Sequence, residues 1–225
     1  MTARARSDRS TATREAILDA AERLYAEHGV YAVSNRAIAE AAGQGNNAVV
    51  GYHFGTRTDL VEALVHRHAE PIDRLREAML EHLPVEPGVR DWVAALVLPT
   101  AQHLEELGRP TWFARFAAQL MTDPALREIM VRESLTSPAL SALLSGLNAC
   151  LPALPDDVAA ERADICRLLL VHHFAERERA LADGFPTPRA SWTDAATGLV
   201  DAIVGIWTAP VTTGTGAHLD PKEHT

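Results

Sequence analysis

Residues 34–59 constrain the fold of this chain more than any other segment, because two short helical patterns flank a turn that contains two glycines. Ser34 is suited to cap the first helix, and residues 43–45, Gly-Gln-Gly, form the turn. The second helix is predicted over residues 47–54 and ends before Gly55. Two helices joined by a tight turn, with small polar residues at the start of the second, place side chains in the major groove of DNA. The segment therefore predicts a helix-turn-helix.

The distribution of charge leaves only the N-terminal part of the chain as a place for a polyanion to bind. Residues 1–60 carry seven Arg and seven acidic residues, so the net charge of −9 comes entirely from the rest of the chain. Within the first fourteen residues, four Arg oppose one Asp. Arg4, Arg6 and Arg9 are therefore candidates to follow the minor groove or the DNA backbone. A solvated tail is the alternative.

The chain as a whole is predicted to be all-α, with about nine helices, because helical periodicity recurs and no alternating strand pattern of useful length is present. Residues 1–12 are expected to be a disordered basic arm, and residues 13–58 form the helix-turn-helix domain, which we call the head. A larger helical domain covers residues 59–208, and residues 209–225 form a disordered tail. Thr56 and Asp59 form a capping box that opens a long fourth helix. One helix is predicted to continue from Pro124 through about residue 151.

Composition also bears on the compartment in which the protein works. No apolar run of about 18 residues is present, so no membrane span is predicted. The N-terminus lacks the apolar core of a secretory signal. Cys150 and Cys166 lie within apolar helical patterns, which is typical of free thiols in a reducing compartment. We therefore expect a cytoplasmic protein without membrane contact.

The run AIAEAAGQGNNAVVGYHFGTRTDL, residues 37–60, resembles the helix-turn-helix of the tetracycline-repressor (TetR) family. The specific resemblance covers about residues 13–65, and the remainder agrees in the number and length of its helices. This chain differs from the usual pattern in three ways. The turn is one residue longer, Gly51 replaces a residue that is often aromatic or Asn, and Arg57 replaces the common Lys.

The resemblance implies that the end of the second helix anchors the protein to the DNA backbone. Tyr52 and His53 would hydrogen-bond phosphates, and Arg57 would do so through its guanidinium. The alternative is that Tyr52 packs and His53 is a surface imidazole. Gly51 costs up to about 1 kcal/mol in a helix interior relative to Ala, and it permits close approach of the backbone to DNA.

Residues near the turn are the candidates for reading bases. Asn46 and Asn47 suit adenine, since an amide pairs with adenine N6 and N7, although Asn46 is equally suited to cap the second helix. Gln44 and Arg36 are candidates for phosphate or base contacts, with a solvated surface role as the alternative. Val49 is suited to touch a thymine methyl group. Val50 and Phe54 are expected in the core.

The resemblance also assigns the larger domain to ligand binding and dimerisation. Helices over residues 158–183 and 189–208 would form a homodimer seam, with an intramolecular core as the alternative. A small apolar effector would bind among side chains of the preceding helices, although each of these taken alone suits a plain core. The candidates are Trp92, Trp112, Phe113, Phe116, Gln119, Met121, Met130 and His172.

The sequence therefore predicts a transcriptional regulator that binds a palindromic operator in double-stranded DNA as a homodimer. The resemblance makes it a repressor released by a small-molecule effector. No catalytic motif or metal-ligand pair is recognised, so neither an enzyme nor a cofactor or metal site is expected. The alternative is a helical small-molecule-binding protein or enzyme in which the head is vestigial.

Overall fold

The computed structural model describes residues 2–108 and 110–212, with side chains from Asp8 onward, and within them it contains ten α-helices and no strand. The all-α prediction is therefore confirmed. The first five helices are α1 (Thr2–His28), α2 (Asn35–Ala41), α3 (Ala48–Phe54), α4 (Arg57–Glu81) and α5 (Val89–Leu107). The others are α6 (Phe113–Thr122), α7 (Pro124–Leu135), α8 (Pro138–Cys150), α9 (Asp156–Ala182) and α10 (Trp192–Thr208).

Helix α1 begins at Thr2, so the prediction of a disordered arm over residues 1–12 is wrong for residues 2–12. These residues contain neither Gly nor Pro, and Ala and Arg are good helix formers. Adding turns to an existing helix costs much less than starting one, and the amphipathic part of α1 supplies that start. Ile17, Leu18 and Tyr25 of this part are fully buried.

Local capping explains where the helices of the head and of α4 begin. The Ser34 hydroxyl accepts a hydrogen bond of 3.1 Å from the Ala37 N–H at the start of α2. Thr56 and Asp59 form the predicted capping box at the start of α4. Val50 and Phe54 of α3 are buried, as expected from the sequence. Local signals therefore determine where α2 and α4 begin and which face of α3 is buried.

The single helix predicted from Pro124 through about residue 151 is in fact two helices, α7 and α8. The Ser137 hydroxyl accepts a hydrogen bond from the Leu140 N–H and thereby caps α8. Pro138 has no N–H to donate, so it ends any continuous hydrogen-bond ladder and suits the first turn of the next helix. This break accounts for ten helices instead of about nine.

The larger domain is arranged around α5, which packs against α4, α8 and α10. Helix α6 lies between α1 of the head and α9. Trp112, the residue before α6, makes no side-chain capping bond, and Glu178 of α9 takes that role. Its carboxylate accepts hydrogen bonds from the N–H groups of Ala114 and Arg115 and from Nε of Arg115, at 3.2, 2.9 and 3.1 Å. Glu178 therefore joins α9 to the start of α6.

The C-terminal helices α9 and α10 start and end within three residues of the predicted ranges. The predicted disorder of residues 209–225 falls mainly on residues 213–225, which lie outside the described residues. Among the described helices, none combines the length and the apolar character needed to cross a bilayer.

Candidate nucleic-acid interface

Helix α3 presents one face to solvent and buries the other in the head. Ala48, Gly51 and Tyr52 are exposed, and the exposed fraction of Tyr52 is 83%. Val50 and Phe54 point to the core because they are spaced four residues apart on the opposite face. The exposed face is therefore free to enter a groove of DNA.

The two asparagines before α3 have different surroundings. Oδ1 of Asn46 accepts a hydrogen bond of 2.9 Å from the Ala48 N–H, so Asn46 has the capping role that was its alternative assignment. Asn47 has helical dihedral angles and makes no capping bond. Its exposed amide remains available to a base edge. The geometry therefore favours Asn47 over Asn46 as a base-reading residue.

Gln44 and Arg36 both make contacts within the head. Nε2 of Gln44 donates to the Ala42 carbonyl at 3.2 Å, and the side chain is half-buried. Nε of the exposed Arg36 donates to Glu40 one turn later in α2, at 2.8 Å. Both contacts are local, so a phosphate or base contact by either side chain stays a prediction.

The C-terminal part of α3 carries the predicted phosphate anchors Tyr52 and His53. Their rings meet edge to face at 5.2 Å, and His53 is half-buried. An open depression lies alongside, with half-buried Val49 in its wall. Its lining consists of Gln44, Gly45, Asn46, Ala48, Val49 and Tyr52. The structure thus brings four of the eight predicted DNA-contacting residues to one surface.

Arg57 lies apart from this surface. Its Nη2 donates to the Val33 carbonyl at 3.1 Å, and its guanidinium lies 5.8 Å from the centre of the Tyr31 ring. The side chain is half-buried, and its Nε has no hydrogen-bond partner among the described residues. Burial raises the pKa of the neighbouring Tyr25, while the charge of Arg57 opposes that shift. In this structure, Arg57 joins α4 to the loop before α2.

A cation that the sequence analysis did not select lies at the end of α3. The exposed Arg14 of α1 places its guanidinium 4.8 Å above the Phe54 ring. Its signal was the excess of Arg in the first fourteen residues, from which only Arg4, Arg6 and Arg9 were selected. Helix α1 places Arg14 at the same end of α3 as Tyr52 and His53.

Three of the predicted effector-pocket residues instead lie beneath the head, on α6. Phe113 stacks on His68 with ring centres 4.1 Å apart, and Phe116 stacks on Tyr25 of α1 at 6.3 Å. Gln119 reaches Gly29 at the end of α1, where a Cβ would lie 3.6 Å from its Oε1. These side chains form the packed junction between the head and the larger domain.

The other predicted pocket residues are spread along the chain from α5 to α9. Trp92 of α5 packs against Gly146 of α8, and Trp112, Met121 and Met130 are half-buried. His172 is exposed on α9, so its prediction as an interior ligand contact is not supported by this position. Consecutive residues of a helix point about 100° apart, and here Phe174 and Ala175 take the buried positions of α9.

A chain of buried polar groups crosses the junction. Nε2 of His68 lies 2.9 Å from Oε2 of Glu22, and Nδ1 of His68 lies 2.8 Å from Nε2 of His103. Burial lowers the pKa of His103 to about 4, with further contributions from His68 and Arg67. Where Nε2 of His103 donates to Nδ1 of His68, Nε2 of His68 donates in turn to the Glu22 carboxylate. No cluster of three or more metal-binding side chains occurs in the described part of the chain.

Comparison with known proteins gives a consistent result for the head. The family described as "Bacterial regulatory proteins, tetR family" matches residues 17–64. The HTH-type transcriptional repressor AcnR of Corynebacterium glutamicum is 31% identical over 126 residues, which are 55% of this chain and 58% of that relative. Its counterpart in Corynebacterium efficiens is 30% identical with the same coverage. The chain thus matches little more than half the length of these curated relatives.

Solved structures share the fold over nearly the whole chain. A TetR-family regulator from Marinobacter aquaeolei aligns with a TM-score of 0.60 at 17% identity, covering 87% of this chain and 97% of that one. SmeT, the repressor of a multidrug efflux pump in Stenotrophomonas maltophilia, aligns with a TM-score of 0.54 at 21% identity, covering 86% and 89%. Together, the match over residues 17–64 and these likenesses show that the head is similar to the tetR family of bacterial regulatory proteins and that the chain shares the fold of such regulators.

Proposed function

We propose that this protein is a transcriptional repressor that binds operator DNA through α3. The observation that carries the proposal is the exposed face of α3, which ends in Tyr52 and His53, while the Arg14 guanidinium lies over the Phe54 ring at the same end of the helix. Tyrosine and arginine side chains at such a position suit phosphate contacts that orient a recognition helix. Two relatives, AcnR and SmeT, are named as repressors, which agrees with this direction of regulation.

We further propose that two copies pair through α9 and α10 and bind a palindromic operator. Ile165 and Leu168 of α9 are apolar yet 40% and 45% exposed. Gly205 of α10 is exposed, and a Cβ there would meet no atom within 4 Å, so a partner helix has room to approach. A two-fold dimer would place two copies of α3 in successive major grooves. This activity fits a cytoplasmic protein.

An apolar small molecule remains the proposed effector, with Trp92, Trp112, Met121 and Met130 as its candidate contacts. These side chains are half-buried, so modest movement of α5 to α8 would expose them to a ligand. The effector would release DNA by binding more tightly to the conformation with lower operator affinity. The regulatory role requires no catalytic step.

The salt dependence of binding to DNA from upstream of its own gene tests the proposal. A repressor dimer that makes about 6–10 phosphate contacts loses about 10³–10⁵ in affinity between about 50 and 200 mM salt. Tyr52→Phe and Arg14→Ala should weaken binding and reduce the salt slope, the arginine variant by about one contact. Arg74→Ala removes an exposed arginine of α4 away from α3 and is the control. Absence of salt-dependent binding, with turnover or tight binding of a small molecule, would instead support a vestigial head.

A further inference from the structure

The surface that α3 would present to DNA contains no charged side chain. Residues 41–56 include no Arg, Lys, Asp or Glu. The nearest arginines in sequence lie outside this segment. Arg36 pairs with Glu40 on α2, and Arg57 donates a hydrogen bond to the Val33 carbonyl. Guanine is most often read by Arg or Lys at O6 and N7. The recognition surface therefore lacks the side chains that favour G·C pairs.

The groups that this surface does expose match A·T pairs. The Asn47 amide is exposed and makes no capping bond, and an amide pairs bidentately with adenine N6 and N7. Ala48 and Val49 line the adjoining depression with methyl groups. Apolar side chains are the partners of the thymine 5-methyl group in the major groove.

Short side chains read bases only if the helix lies close to the base edges, and two glycines permit this. A Cβ on Gly45 or Gly51 would meet no protein atom within 4 Å, and neither residue has the positive φ that favours glycine. Packing and backbone conformation therefore do not require glycine at either position. Gly51 also weakens α3 by its conformational freedom. Close approach of DNA to the backbone explains why these two positions carry no side chain.

We infer that the head reads A·T pairs at close range, with Asn47 on adenine and Ala48 and Val49 on thymine methyl groups. Gly45 and Gly51 let the backbone of α3 approach the base edges. This inference rests on the proposed function, since it names the bases that the proposed operator presents to α3. Uncharged groups would therefore determine the sequence preference, and Tyr52, His53 and Arg14 would supply affinity through phosphate contacts.

The first test is selection of bound duplexes from a random DNA pool by the full-length protein, followed by removal of thymine methyl groups. We expect selected half-sites with A·T pairs at positions that tolerate no G·C replacement. Replacing thymine by deoxyuridine at those positions should weaken binding measurably while base pairing is kept. Selection of half-sites whose invariant positions are all G·C would overturn the inference and leave the proposed function intact. Failure to select any duplex would overturn both.

The second test uses three variants on the selected site. Asn47→Ala should reduce discrimination between the selected site and its A·T-to-G·C variant by about fivefold or more. Gly51→Ala should weaken binding to the selected site without unfolding the protein, which circular dichroism would verify. Tyr52→Phe is the matched control, since loss of a phosphate contact weakens binding to all sequences alike. Unchanged discrimination in Asn47→Ala, or unchanged affinity in Gly51→Ala, would contradict the corresponding contact.

Discussion

On the outer surface of α3, Asn47 and Tyr52 leave polar groups exposed, whereas around α6 the carboxylates of Glu22 and Glu178 are buried and hydrogen-bonded. Glycine shows the same contrast. A Cβ on Gly51 would meet nothing within 4 Å, while one on Gly146 would lie 2.3 Å from ring atoms of Trp92. The outer surface leaves these polar groups free for a ligand, whereas hydrogen bonds hold the two interior carboxylates in place. Substitutions in the two regions should therefore affect different properties.

The largest loss of stability is expected at Glu178. Replacing it with Ala removes the acceptor for two N–H groups of α6 and leaves the buried Arg115 guanidinium without its carboxylate. Removing one partner of a buried ion pair costs about 3–5 kcal/mol. Urea unfolding measures the change, and Glu178→Gln, which keeps an acceptor oxygen, should lose less. Equal stability of Glu178→Ala and the wild type would contradict the role of this carboxylate.

A smaller loss is expected for Gly146→Ala, because the new methyl group would overlap the Trp92 ring. Overpacking of this kind costs about 1–3 kcal/mol. The double variant Gly146→Ala with Trp92→Leu is the control, since removal of the ring makes room for the methyl group. Thermal unfolding should therefore show a smaller penalty for the alanine in the Trp92→Leu background. Equal penalties in both backgrounds would show that the ring is not the obstacle.

His103 should make stability depend on pH. Its pKa is about 4 in the folded protein, against 6.5 for an ordinary histidine. Between these values the unfolded chain binds a proton that the folded protein does not, so stability falls as pH decreases, by at most about 1.4 kcal/mol per pH unit. Above pH 6.5 this contribution is fully retained. Urea unfolding at about pH 7.5 and about pH 5 should show a steeper loss for the wild type than for His103→Gln.

The exposed His66 on α4 provides the control for this pH dependence. His66→Gln should leave the difference between the two pH values close to that of the wild type. If His103→Gln and the wild type lose stability equally on acidification, the folded protein does not hold His103 neutral.

The smallest change in stability, and the only gain, is expected for Gly51→Ala. Alanine in a helix interior is more stable than glycine by about 0.5–1 kcal/mol, and the methyl group meets no neighbour here. Thermal unfolding should show a small increase in the midpoint together with the weaker DNA binding predicted above. A decrease in the midpoint would mean that glycine serves the fold at this position.

The head could be predicted from the sequence because its determinants are local. Ser34, Thr56 and Asp59 cap helices within three residues, and the spacing of Val50 and Phe54 marks the buried face of α3. The break at Ser137 and Pro138 also has a local signal in the sequence, which is a capping residue followed by a proline. It was missed because apolar periodicity continues across it.

The functional assignments that depend on distant contacts could not be predicted. The Val33 carbonyl that holds Arg57 lies 24 residues away, and His68 and His103 are separated by 35. No local pattern shows that Phe113, Phe116 and Gln119 face the head, since aromatic residues on a helix suit a pocket and a packed junction equally. Only the fold places α6 beneath α1.

Helix α6 is therefore a short rigid connection between the proposed dimer seam and the head. Glu178 of α9 holds its start, and the hydroxyl of Tyr31 lies 3.5 Å from Asp123 just beyond its end. A helix of ten residues is about 15 Å long, so a tilt of about 10° about the Glu178 end would displace the other end by about 2.6 Å. In a two-fold dimer, a ligand that tilts α6 would in this way shift both heads and change the spacing of the two recognition helices.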